Sequence, residues 1–159
     1  MTRKTLFITG ASSGIGAETA RQAVAAGWNV GLFARSEDKL AALVDELGEH
    51  AIALPGDATS LEAQTEAMAK LAGHFGDVNA AFANAGMGVS GAGTLAGEPE
   101  EWQSMVELNV MGVLWTAKAA STYFQKNGGH LLLTGSAAGR THIKGSVYGA
   151  TKWLSLIHI

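Results

Sequence analysis

Near the far end of the chain, Tyr148 and Lys152 stand four residues apart. On a helix that spacing places both side chains on one face. A free phenol titrates near ~10 and is a poor base at neutral pH. An ammonium at about 4 Å, in an effective dielectric of ~20, favours the phenolate by roughly 4 kcal/mol before desolvation is counted. That is of the order needed to poise Tyr148 as both acid and base. The bland alternative is a surface aromatic beside a lysine. At the other end, Thr9 to Gly16 reads Thr-Gly-Ala-Ser-Ser-Gly-Ile-Gly, after the apolar run Leu6, Phe7, Ile8 and before an alanine-rich segment without proline. Gly10, Gly14 and Gly16 remove side chains where a chain must turn tightly, with Ser12, Ser13 and Ile15 between them. The first turn of the next helix would offer unpaired N–H groups and its positive dipole end to an anion. A phosphate or pyrophosphate is the natural occupant, a purely structural turn the alternative. The spacing is Gly-x3-Gly-x-Gly, not the commoner Gly-x-Gly-x-x-Gly, so these glycines do not decide alone.

The elements that must position these groups alternate. Thr5 to Thr9 reads as a strand and Gly14 to Ala26 as a helix stopped by Gly27. Trp28 to Ala34 is a second strand; Ser36 caps a helix with Leu40, Leu43, Val44 and Leu47 on one face, closed by Gly48. Ala51 to Leu54 is a third strand, and Ser60 caps a helix through Leu71 that Gly73 stops. Val78 to Ala83, small and apolar, suits a strand covered on both faces. A glycine-rich loop, Gly86 to Gly97, leads to a long helix from about Pro99 to Lys126. His130 to Thr134 is a fifth strand, and another helix starts near Val147. Five such alternations predict one α/β domain with a doubly wound parallel sheet, right-handed crossovers and helices on both faces.

Ligands of such a sheet sit beyond the carboxyl ends of the strands. Just past the five strand ends stand Gly10 to Gly16, Arg35, Asp57, Asn84 to Gly86, and Ser136: glycine or polar in every case. A carboxylate usually ends the second strand where NAD binds. Here Arg35 stands there, a planar fork suited to a 2′-phosphate, so the expected cofactor is NADP(H) in preference to NAD(H). Ser136 could donate a hydrogen bond to an oxygen that gains negative charge in a reaction, or merely cap its loop. Asn109 sits inside the long helix, where asparagine is disfavoured.

Taken together and in order, Thr9 to Gly16, Asp57, Asn84-Ala-Gly86, Asn109-Val-Met-Gly112, Ser136 with Ala138-Gly139, and Tyr148-Gly-Ala-Thr-Lys152 resemble the short-chain dehydrogenase/reductase family across residues 5 to 153. The resemblance implies a Rossmann fold and hydride transfer between a nicotinamide and a carbonyl or secondary alcohol. It implies that Tyr148 exchanges a proton with substrate oxygen and that Lys152 also binds the nicotinamide ribose. By the same resemblance, Asn109 lets its helix bend while its main chain holds a water leading to the lysine. Asp57 with Ala58 would contact adenine, and Asn84, Ala85 and Gly86 the adenine ribose side. Ser136 lies twelve residues before Tyr148, one fewer than in many family members, which leaves Ser146 as a weaker alternative. The helix carrying Trp102 and Trp115 and the tyrosine helix would build a homo-oligomer interface. A nucleotide-sensing module without turnover is the second reading, and an intact Tyr148 and Lys152 speak against it.

Composition excludes other classes. The formal charge of −3 without Lys/Arg clusters argues against nucleic acid, and no apolar run approaches a membrane span. No cysteine means no thiolate metal site, and His50, His130 and His142 lack ligand spacing. A cytoplasmic protein acting on a small molecule is the expectation. Family chains are longer, and Leu154 to Ile159 departs from the family's usual Lys-x-Ala-Val pattern. Those six residues resemble the translated end of a sequencing-library transposon, so the expectation is a truncated reading frame with a non-native tail, poorly soluble or inactive as it stands.

Overall fold

A computed structural model of the chain describes residues 3–88, 97–141 and 146–158. The middle of the glycine-rich loop lies outside the described residues, as does His142. The strands are β1 (Thr5–Thr9), β2 (Asn29–Ala34), β3 (Ala51–Pro55), β4 (Ala80–Ala83) and β5 (His130–Leu133). All pair in parallel, in the order β3-β2-β1-β4-β5. Order reverses beside β1, which makes the crevice above β1 and β4 the switch point of a doubly wound sheet. The fold is the Rossmann type that the sequence predicts.

Alternation along the central strands builds two cores. Leu6, Ile8, Val30 and Leu32 face α1 (Gly14–Ala25) and α2 (Glu37–Leu47), packing on Ala17, Ala20, Leu40 and Leu43. Phe7, Phe33 and Ala81 face the other way, onto Met68 and Leu71 of α3 (Leu61–Phe75) and Ala119 and Ala120 of α5 (Gly112–Asn127). Both faces of β1 and β2 are thereby dry, which explains their unbroken apolar runs. At the outer edge, β5 leaves Leu131 38% and Leu132 48% exposed.

Three local expectations change. Gly73 lies inside α3, which runs on to Phe75 and ends where Gly76 takes φ +96°. Nothing about Gly73 demands a left-handed backbone, whereas Gly76 supplies the usual left-handed cap. Ser36 precedes α2 without a side-chain cap, while Ser60 does cap α3, accepting from Ala63 N–H at 3.1 Å. The long helix is two, α4 (Pro99–Val106) and α5, joined by a π turn over Glu107–Met111. A π turn inside a helix often marks a functional position.

Gln64 on α3 is fully buried. Its amide donates to Ala58 O at 2.7 Å and Gly112 O at 3.1 Å, and its carbonyl oxygen accepts from the Thr116 hydroxyl at 2.7 Å. A hydrophobic pattern cannot reveal such a residue, because it sits on the core face of its helix. Removing one member of a satisfied buried set leaves the others unpaired. Gln64→Leu is expected to cost about 1–3 kcal/mol in urea unfolding. Gln64→Leu with Thr116→Val, which withdraws both facing groups, is expected to recover part of that loss.

Candidate active site

A cleft of about 790 Å³ runs along the carboxyl ends of the strands. The first loop contributes Gly10, Ser12, Ser13 and Ile15 to its wall, and the end of β2 contributes Arg35. Asp57 and Ala58 come after β3; Asn84, Ala85 and Gly86 come after β4. Tyr148 and Lys152 close it from α6 (Val147–His158). Of the residues singled out from sequence, Gly14, Gly16, Ser136 and Asn109 are not on this wall.

The three loop glycines have different duties. Gly10 takes φ +67°, and a Cβ there would meet Ala85 Cα at 2.9 Å. A Cβ on Gly16 would collide with the carbonyl oxygen of Gly10. These two let α1 and the β4 loop close on the turn. Gly14, at φ +53°, has nothing within 4 Å of where its Cβ would be. Ser13 precedes α1 without a side-chain cap, so the first-turn N–H groups lack that partner.

Thr9, buried at the end of β1, holds the β4 loop in place. Its hydroxyl oxygen accepts from Asn84 N–H and Ala85 N–H, both at 3.0 Å, and lies 3.4 Å from Phe82 O. The Asn84 side chain is likewise committed within the protein: Nδ2 donates to Thr9 O at 3.1 Å and Gly10 O at 3.4 Å, and Oδ1 accepts from the Thr134 hydroxyl at 3.0 Å. Asp57 Oδ1 accepts from the N–H and hydroxyl of Thr59, each at 2.9 Å, which fixes the loop after β3.

Asn109 lies in the π turn, fully buried. Its amide pairs with the main chain of Met87 as a neighbouring strand would, accepting from N–H at 2.9 Å and donating to the carbonyl at 2.8 Å. Nδ2 also donates to the hydroxyl of Thr151 at 3.1 Å, which in turn donates to Tyr148 O at 2.8 Å. The Asn109 carbonyl accepts from Ser155 Oγ at 3.2 Å.

Lys152 is 4% exposed, and its Nζ donates to Thr134 O at 3.1 Å. Burial holds its pKa below the ordinary value of 10.5. Its Nζ lies 5.9 Å from the centroid of the Tyr148 ring. Ser136 Oγ accepts from Ala138 N–H at 3.1 Å, capping the 3₁₀ turn Ala137–Gly139, which packs on α6. Ser146 Oγ accepts from Gly149 N–H at 2.9 Å and so caps α6. Thr134, Met87, Ser104 and Leu108 line the cleft without having been singled out. For Thr134 a signal existed, since it ends an apolar strand with a hydroxyl, as Thr9 does.

The model of the short chain dehydrogenase family matches residues 4–155, and the chain belongs to that family. It is 36% identical over 149 residues to the serine 3-dehydrogenase of Agrobacterium fabrum, covering 93% of this chain and 60% of that protein. The alcohol dehydrogenase from the archaeon Thermococcus sibiricus, solved with 5-hydroxy-NADP, superposes with a TM-score of 0.89 at 34% identity, over 95% of this chain and 66% of that one. The 3-ketoacyl-(acyl-carrier-protein) reductase from Brucella melitensis, solved with NADH, gives 0.91 at 29% identity, over 96% and 65%. The chain spans about 60% of the length of the serine dehydrogenase it matches. Among the described residues, no helix is long and apolar enough to cross a membrane.

The buried ammonium has a consequence for stability. Because its pKa is depressed below 10.5 on folding, the unfolded chain binds more protons just below that value. Stability referred to Lys152 therefore rises as pH climbs through the window beneath 10.5. Lys152→Met is expected to melt higher than the parent at pH 7, the difference narrowing toward pH 10, as read from paired thermal melts.

Proposed function

We propose that the protein carrying this chain is an NADP(H)-dependent oxidoreductase, moving hydride between the nicotinamide and a carbonyl or secondary alcohol. The observation that carries the reading is the meeting of Tyr148 and Lys152 with the glycine loop and Arg35 on one cleft. The residues fit a dinucleotide. Gly14 leaves open space beside the uncapped start of α1, where a pyrophosphate would be received. Main-chain groups of Ala85 and Gly86, together with Asp57 and Ala58, would hold the adenosine end, the amide of Asn84 being engaged already. The bound cofactor supplies the hydride.

The chain's own residues do the rest. Tyr148 gives a proton to the carbonyl oxygen in reduction, or takes one from the alcohol in oxidation. An ammonium has three N–H donors, and Lys152 spends one on Thr134 O. Two remain for ribose hydroxyls and for the field that favours phenolate. Ser136 keeps its hydroxyl proton while capping its turn, so it retains a donor for the substrate oxygen. Asn109 acts through Thr151, which fixes the first turn of α6 beneath Tyr148. The two solved relatives carry an NADP derivative and NADH, so the choice of cofactor rests on exposed Arg35. A cytoplasmic location and a homo-oligomer, joined through exposed Val106 and Leu114, belong to the same proposal.

The measurement is cofactor oxidation over a carbonyl panel, with serine dehydrogenation included because one relative is named for it. Tyr148→Phe is expected to lower kcat by about 10²–10⁴ with little change in nucleotide affinity. Arg35→Ala is expected to raise KM for NADPH about tenfold or more and to leave NADH nearly unchanged. A parent preference for NADH would reject the NADP(H) assignment. The second reading, a nucleotide-sensing module, draws on Ser136 lying off the cleft wall. Nucleotide binding with no Tyr148-dependent turnover across the panel would favour it.

A further inference from the structure

We infer that Thr134 is a positioning residue that registers the ammonium of Lys152 to the nucleotide cradle. The inference rests on the proposed function only for why that register matters.

Every polar group of Thr134 faces a different part of the site. Its N–H donates to Ala83 O at 3.1 Å, extending the β4–β5 ladder by one bond. Its hydroxyl donates to Asn84 Oδ1 at 3.0 Å, and its carbonyl accepts from Lys152 Nζ at 3.1 Å. Asn84 in turn donates to the carbonyls of Thr9 and Gly10. An unbroken run of hydrogen bonds therefore leads from Gly10, in the phosphate loop, through Asn84 and Thr134 to the ammonium. Thr134 also lines the cleft itself.

Among the described residues, Thr134 O is the one protein acceptor recorded for Lys152 Nζ. A buried ammonium with a single fixed acceptor takes its direction from that acceptor. The carbonyl belongs to the residue just past β5, where the strand's own ladder has ended. Beyond the ladder bond to Ala83, the hydroxyl bond to Asn84 is what ties that residue inward. Without it the carbonyl is free to swing, and the ammonium loses its register with the loop that seats the nucleotide. A displacement of that kind, by a fraction of an ångström, is enough to slow a reaction. A hydroxyl that merely finished the strand would produce no such effect on the lysine.

The test uses the full-length protein with Thr134→Val, which keeps the shape and deletes the hydroxyl, and Thr134→Ser, which keeps the hydroxyl. One readout needs neither nucleotide nor turnover: the rate at which a small acylating reagent modifies Lys152, located by mass spectrometry. The other is steady-state carbonyl reduction with NADPH. The Val variant is expected to be acylated at Lys152 at least about threefold faster, and to lose about tenfold in kcat with KM for NADPH within about threefold. The Ser variant is expected to return both to parent values. Thr134→Ala provides the same comparison where Val perturbs folding. Acylation and kcat both at parent values, with only the melting temperature lowered, would overturn the inference. Faster acylation with unchanged kcat would uphold the positioning and instead remove Lys152 from the proposed reaction.

Discussion

At the carboxyl edge of a parallel sheet, each strand stops with backbone groups that the next strand no longer pairs, yet that edge has to stay open to ligands. Buried N–H and C=O groups must find partners all the same. This chain answers with short hydroxyl side chains that turn inward. Thr9 accepts the N–H groups of both Asn84 and Ala85. Thr134 binds Asn84 from the far side, and Thr151 performs the same service between Asn109 and the main chain of Tyr148. None of these hydroxyls reaches across the crevice. They consume the polar groups of the rim and leave its opening clear.

The same constraint explains the glycine loop. Two of its three glycines are required by the protein's own backbone: Gly10 against Ala85, Gly16 against Gly10. Only at Gly14 is the missing side chain replaced by open space. The spacing of the three is thus set mostly by how α1 packs on the turn, which is why it can differ from the commoner fingerprint and still present an uncapped helix start.

Much of this was legible in the sequence, for definite reasons. Apolar runs bounded by glycine identify β1 and β2 because central parallel strands are dry on both faces, and the polar residues after the first four strands do gather on one cleft. What escaped is what has no pattern of its own. Gly73 and Gly76 are equally plausible stops until a backbone chooses a left-handed φ for one of them. Gln64 occupies a core position by period and is distinguished only by partners 48 and 52 residues away. Spacing ranks Ser136 above Ser146 without showing that each is a cap in the folded chain, the first of a 3₁₀ turn and the second of α6. The break between α4 and α5 was foreshadowed only as a bend at Asn109.

That break shows how polar and apolar contacts divide the work. A π turn gives up regular helical bonding, so something must favour it over a continuous helix. On one side, Asn109 pairs with both main-chain groups of Met87, a match available only if the helix shifts register there. On the other, Gly112 O accepts from the amide of Gln64, and the absence of a side chain on Gly112 lets Ala58 O approach to 3.0 Å of where a Cβ would stand. The bend is held from both flanks by bonds that have direction. Apolar packing, which has none, would tolerate a sliding helix. Placement of α6, and so of Tyr148 and Lys152, consequently depends on a few buried polar groups more than on the size of the core. Substitutions in the two apolar clusters should change how firmly the chain folds, whereas those at the hydroxyls and amides change where Tyr148 and Lys152 stand.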